Sequence, residues 1–92
     1  MNLRKLAKGQ PCQVRLVGTC NANRDTTVLA HVRLAGISGA GLKSPDVLGA
    51  WCCSSCHEVT EKEKVDDWIQ RCFYEGVIRT QNELVTMGVL EW

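Results

Sequence analysis

Cys53-Ser54-Ser55-Cys56-His57 places two thiols and an imidazole within five positions, and the polar residues that follow can start a helix. Two residues between the thiols let one tight turn aim both sulfurs at a single ion, and a cysteine at a helix start has its thiolate favoured by the helix dipole. Structural zinc takes four soft ligands in a tetrahedron, usually as two pairs. A second pair is therefore expected. Cys12 and Cys20 flank Val14, Leu16 and Gly18 and supply it from a short hairpin or knuckle. Cys52 could replace Cys53, but the two-residue spacing favours Cys53 with Cys56. Cys72 falls in an apolar helical stripe and reads as a small buried hydrophobe.

The same stretch also spells c-type haem attachment, and a Cys-x-x-Cys pair serves thiol redox chemistry. The second cysteine pair argues against the first, and the lack of alternating strand and helix units argues against the second. The 92 residues read as a single domain, and a chain of this size buries only ~60–65% of its unfolded surface. A structural metal can contribute an apparent ~10–16 kcal/mol at neutral pH. Met1 to Gln10 contains no apolar signal core, and no run reaches transmembrane length. The expected setting is the cytoplasm, where thiols stay reduced and bind metal.

Outward from the pair, Asp46 to Trp51 reads as a strand leading into it. Val28 to Leu34, rich in branched residues, reads as its partner, with Val28, Ala30, Val32 and Leu34 inward and His31 and Arg33 together on the open face. Gly36 to Pro45 reads as a flexible hairpin tip, and Asn21 to Thr27 as turn chemistry. The first eleven residues read as a basic arm or one helical turn of low value to the fold, with Leu3, Leu6 and Ala7 as its apolar side. Downstream, Val65, Trp68, Ile69, Cys72, Phe73, Gly76 and Val77 recur at three- and four-residue spacings, predicting an amphipathic helix that braces the core over about 61–87. Gly76 could divide it, and Gly88 is a plausible cap. Trp68, Phe73, Leu84, Leu90 and Trp92 exceed what one small core must bury, so a homodimer through this helix is expected.

The net charge is +1, but it is unevenly spread. Residues 1–45 carry seven bases against Asp25 alone, a net +6, whereas residues 46–92 carry nine acids against four bases, a net −5. One face for a polyanion and an acidic back fit this pattern. Arg33 and Lys43 are the candidate phosphate contacts.

A knuckle with two ligands, a β-hairpin, and a helix that begins with two more ligands make an α+β treble-clef arrangement. With His31 on the first hairpin strand and His57 at the helix start, residues 12–61 resemble the ββα-metal core of HNH nucleases, and the full length resembles the YbcO-like family of phage and prophage nucleases. The resemblance implies a metal-dependent endonuclease that hydrolyses DNA phosphodiester bonds in phage or prophage DNA processing. It implies His31 as general base, since imidazole can take a proton near neutral pH. It implies His57 as ligand of a catalytic magnesium or manganese ion, with Glu61, one helical turn on, as a second ligand. Asp46 matches the Asn of the HNH pattern, either binding metal or holding the hairpin, while Cys12, Cys20, Cys53 and Cys56 would hold structural zinc. Ala30 stands where many HNH enzymes carry a metal-binding Asp or His. The other class considered is a non-catalytic, zinc-stabilised DNA-binding or adaptor module.

Overall fold

Asn2 caps the first helix, α1 (Leu3–Ala7), by accepting the amide hydrogens of Arg4 and Lys5 at 3.0 and 3.2 Å. A computed structural model describes residues 2–33, 45–62 and 66–90 of the chain. Most of the expected hairpin tip, with Lys43, and also Leu34, Val65 and Trp92, lie outside the described residues. α1 matters more than its sequence suggests. Ala7 is fully buried and clusters with Trp51 and Leu84, with Leu3 and Leu6 packed against them. The short helix closes one end of the core, because its apolar side covers an indole that would otherwise face water.

The segment after Pro11 buries Val14 and Leu16 and joins the sheet through the Gln13 amide, which donates to Trp51 O at 2.7 Å. It turns back at Leu16, whose carbonyl accepts from Thr19 N and Cys20 N at 3.0 and 2.8 Å. Gly18 takes φ +79° there, a conformation that glycine adopts without steric cost. Asn23 then caps a 3-10 turn over Arg24–Thr26.

Strand β1 (Val28–His31) pairs antiparallel with β2 (Gly49–Cys52), in a register that sets Val28 opposite Cys52 and His31 opposite Gly49. Both strands are shorter than expected. Asp46–Leu48 forms a 3-10 turn instead of strand, closed by Leu48 N donating to Pro45 O at 2.9 Å, because a proline ahead of Asp46 favours a turn. Beyond β1, Val32 N still donates to Leu48 O at 2.8 Å. Ala30 and Val32 face inward as expected, but Val28 is 39% exposed, since it lies at the outer end of the ladder. β2 is buried throughout.

Cys53 caps helix α2 (Ser54–Thr60), and Asp66 caps α3 (Asp67–Thr86), its side chain accepting from Ile69 N at 2.9 Å. α3 runs unbroken through Gly76. A Cβ there would lie 2.8 Å from Val14 Cγ2 and 3.0 Å from Val14 Cα, so the glycine permits the close approach of α3 to the knuckle. One turn later, the buried Thr80 hydroxyl donates to Gly76 O at 2.8 Å and accepts from Trp51 N at 3.0 Å, tying α3 to β2. The helix ends at Gly88, φ +78°, where Val89 N donates to Leu84 O and Gly88 N to Val85 O. This is the glycine-terminated pattern that satisfies the last carbonyls. Leu84 is core, at 2% exposure, and not surplus apolar surface, whereas Trp68, expected in the stripe, is 52% exposed. The described residues thus form a small α+β domain with a two-stranded sheet and three α-helices. Among them no helix is long and apolar enough to cross a membrane.

Candidate metal centre and catalytic cleft

The knuckle and the start of α2 bring four sulfurs together. The Sγ atoms of Cys12, Cys20, Cys53 and Cys56 all lie within 4.8 Å of one another, and Cys53 Sγ is 3.8 Å from Cys20 Sγ. Four sulfurs at ~2.3 Å from a tetrahedral zinc stand ~3.8 Å apart. The four thiols could therefore hold a metal ion such as zinc. Cys12 Sγ accepts from Arg15 N at 3.5 Å and Cys53 Sγ from Cys56 N at 3.4 Å, the contacts a thiolate needs at a tight turn. Arg15 adopts φ +53° to make its contact.

The thiols of this group are pushed in opposite directions by their surroundings. The Cys12 thiol is lowered to about 4, chiefly by the hydrogen bond it accepts from Cys52 and further by the amides of Arg15, Cys53 and Val14. Cys52 is pushed up by donating that bond and by burial. Burial first, and the neighbouring sulfurs second, push Cys56 up, and burial is also the main cause that raises Cys20. Thiols this crowded cannot all ionise alone, and a bound divalent ion removes the conflict. Cys52 and Cys72 stay outside the four-sulfur group: Cys52 is buried in the sheet, and Cys72 packs partly buried against the core.

The two histidines occupy a separate cleft of about 300 Å³ between the end of β1, the last turn of α2 and the first half of α3. Its lining includes His31, Arg33, His57, Thr60, Glu61 and Lys62 on one side and Gln70, Phe73 and Tyr74 on the other. Each histidine is held by a carboxylate. His31 Nε2 lies 2.7 Å from Asp46 Oδ1, and His57 Nε2 lies 3.0 Å from Glu61 Oε1 one helical turn away.

Each carboxylate also meets an arginine. Arg4 Nε is 3.3 Å from Asp46 Oδ1, and Arg33 NH2 is 3.6 Å from Glu61 Oε1, with Arg33 NH1 donating to Glu61 O at 3.4 Å. The His31 hydrogen bond, more than the Arg4 guanidinium, holds the Asp46 carboxyl below its usual range. An ionised carboxylate only accepts, so the hydrogen of this contact is carried by His31 Nε2.

His57 and Glu61, paired at 3.0 Å, could offer one nitrogen and one oxygen to a divalent ion. As ligands they would be two only. Among the described residues, the four cysteines form the one group of three or more side chains placed to share an ion. Asp46 does not line the cleft. Arg4 is the residue that sequence reading missed: 42 positions separate it from Asp46, and nothing local marks the contact. Gln70 and Tyr74 went unread for a related reason, since spacing describes only the apolar stripe of α3.

Comparison with known proteins covers almost the whole chain. Residues 1–89 match the family profile described as "Putative nuclease YbcO". Two relatives, each named "Putative nuclease YbcO", from Escherichia coli and Enterobacteria phage 82, are 43% identical over 93 aligned positions, covering 98% of this chain and 97% of theirs. A solved structure of a putative bacteriophage protein from Escherichia coli superposes with a TM-score of 0.76 at 39% identity, covering 95% of this chain and all of the other. The chain belongs to the YbcO family.

Proposed function

We propose that the protein is a metal-dependent endonuclease of the HNH type, hydrolysing DNA phosphodiester bonds in phage or prophage DNA processing. In this reading the knuckle, the hairpin and α2 form a treble clef with a ββα-metal core. Cys12, Cys20, Cys53 and Cys56 hold structural zinc, and His57 and Glu61 hold magnesium or manganese. The observation that carries the proposal is the 2.7 Å contact of His31 Nε2 with Asp46 Oδ1 beside a cleft that also contains His57 and Glu61.

Asp46 accepts the hydrogen bond from Nε2–H and fixes the imidazole. Nδ1 would then be the basic atom, taking a proton from water as its oxygen attacks phosphorus, while the bond from phosphorus to the leaving sugar oxygen breaks and that oxygen takes up a proton. Such proton transfer contributes typically ~10²–10⁴-fold to rate. When bound, the divalent ion supplies stabilisation of charge on the phosphate oxygens. Arg33, which lines the same cleft, would contact that phosphate.

The test is cleavage of linear, supercoiled and branched DNA with added magnesium or manganese, comparing wild type with His31→Ala at equal zinc content. Cutting by wild type alone supports the proposal. Equal cutting by both rejects His31 as the base. Binding without cutting in either favours a second reading, a zinc-stabilised DNA-binding or adaptor module. The cleft's offer of two metal ligands favours that alternative.

A further inference from the structure

The cleft has two chemically different walls. Across from the histidines, Gln70, Phe73 and Tyr74 fall at positions i, i+3 and i+4 of α3 and so share one face. Phe73 is partly buried against the core, and its ring stands 5.9 Å from that of Tyr74, tilted at 56°. Tyr74, held by this neighbour, is 36% exposed at the cleft. The lining from β1 and α2 carries Arg33 and Lys62 beside Glu61, with Arg33 NH2 3.6 Å from Glu61 Oε1.

Two basic side chains, an aromatic and an amide in one cleft are what an unpaired nucleotide requires: cations for its phosphate, a ring to stack on its base, and an amide to bond its edge. The volume, about 300 Å³, is at the lower end of pockets that hold one small molecule. That is the scale of one unstacked nucleotide. Bases within a duplex reach such a pocket only by leaving the stack, at a cost that is least where they are already unpaired.

We propose that this cleft is a binding site for one unpaired nucleotide, with the base on Tyr74 and its edge against Gln70, and that the protein's substrate is DNA carrying unpaired bases. The inference rests on the nuclease reading in setting the phosphate beside His31. Stacking on one aromatic is sequence-tolerant, so the site selects strand state and not sequence. No basic recognition helix is needed for that choice.

The experiment measures binding of a fluorescent 15-residue oligothymidine and of a blunt 15-base-pair duplex to the zinc-loaded protein by anisotropy, without added magnesium or manganese. Wild type is expected to prefer the oligothymidine. Tyr74→Ala is expected to weaken its binding about tenfold or more, while Tyr74→Phe, which keeps the ring, binds as wild type does. Wild-type binding to oligothymidine by Tyr74→Ala, or equal affinity of wild type for the duplex, overturns the inference. Circular dichroism and zinc content verify that the variants are folded. Because this assay reads no cleavage, its outcome is separate from the His31→Ala test: a protein that cuts duplex DNA and ignores single strands keeps the nuclease reading and loses this one.

Discussion

Arg4 and His31, from opposite ends of the first third of the chain, meet the same oxygen atom: Asp46 Oδ1 lies 3.3 Å from Arg4 Nε and 2.7 Å from His31 Nε2. The arrangement fixes which imidazole nitrogen keeps its proton. Asp46→Asn presents an amide that can donate to Nε2 and stabilise the wrong tautomer, so kcat is expected to fall ~10²-fold or more with KM nearly unchanged. Steady-state cleavage kinetics check this. A raised KM at constant kcat would instead make Asp46 a substrate-binding group.

The same contact has a signature in stability. Asp46 titrates below its usual range, chiefly because of His31 and then Arg4. A carboxyl lowered by folding adds stability above its unfolded value of ~3.9, and that stability is lost as pH falls through the folded value. Wild type should therefore exceed Asp46→Asn in stability at pH 6, and the gap should begin to narrow below about pH 4 and close only below the folded value. Urea melts at the two pH values measure it.

On the proposed zinc reading, Cys56→Ser is expected to lose the metal and the fold together, since a structural zinc site is worth ~10–16 kcal/mol, more than a domain this small has in reserve. Cys52→Ser should keep one zinc per chain, because Cys52 lies outside the four-sulfur group. Elemental analysis and far-ultraviolet dichroism separate the two. Loss of zinc from Cys52→Ser would exchange its role with that of Cys53.

Gly76→Ala improves helix propensity by ~1 kcal/mol, yet it sets a methyl 3.0 Å from Val14 Cα and 3.1 Å from Gln13 O. Backbone cannot move aside as a side-chain tip can. Net destabilisation of ~1–3 kcal/mol is expected, in the range of overpacked cores. A rise in the denaturation midpoint would mean that α3 stands farther from the knuckle.

Arg33→Ala should weaken DNA binding and reduce the slope of log Kobs against log salt by about one, the effect of losing a single phosphate contact. The salt titration, run on wild type and variant, tests it directly. Parallel lines would leave Arg33 as a partner of Glu61 alone.

The sequence by itself determined the local features. Cys53 and Cys56 are two residues apart on a turn into a helix, and that spacing alone names them as a pair. The strand face of His31, the amphipathic run from Ile69 to Val77 and the cap at Gly88 are likewise local, because period and dihedral preference are written within a few residues. Only the tertiary structure decided the rest. It made Asp46 a turn residue bonded to His31, brought in Arg4 and enlisted Ala7 and Leu84 to cover Trp51, whereas the grouping of Cys12 and Cys20 with Cys53 and Cys56 is as the sequence led one to expect. It also turned Tyr74 toward the cleft and Trp68 outward. These outcomes depend on which surfaces meet across tens of residues, and hydrophobic period records that a side chain is apolar without recording what will cover it.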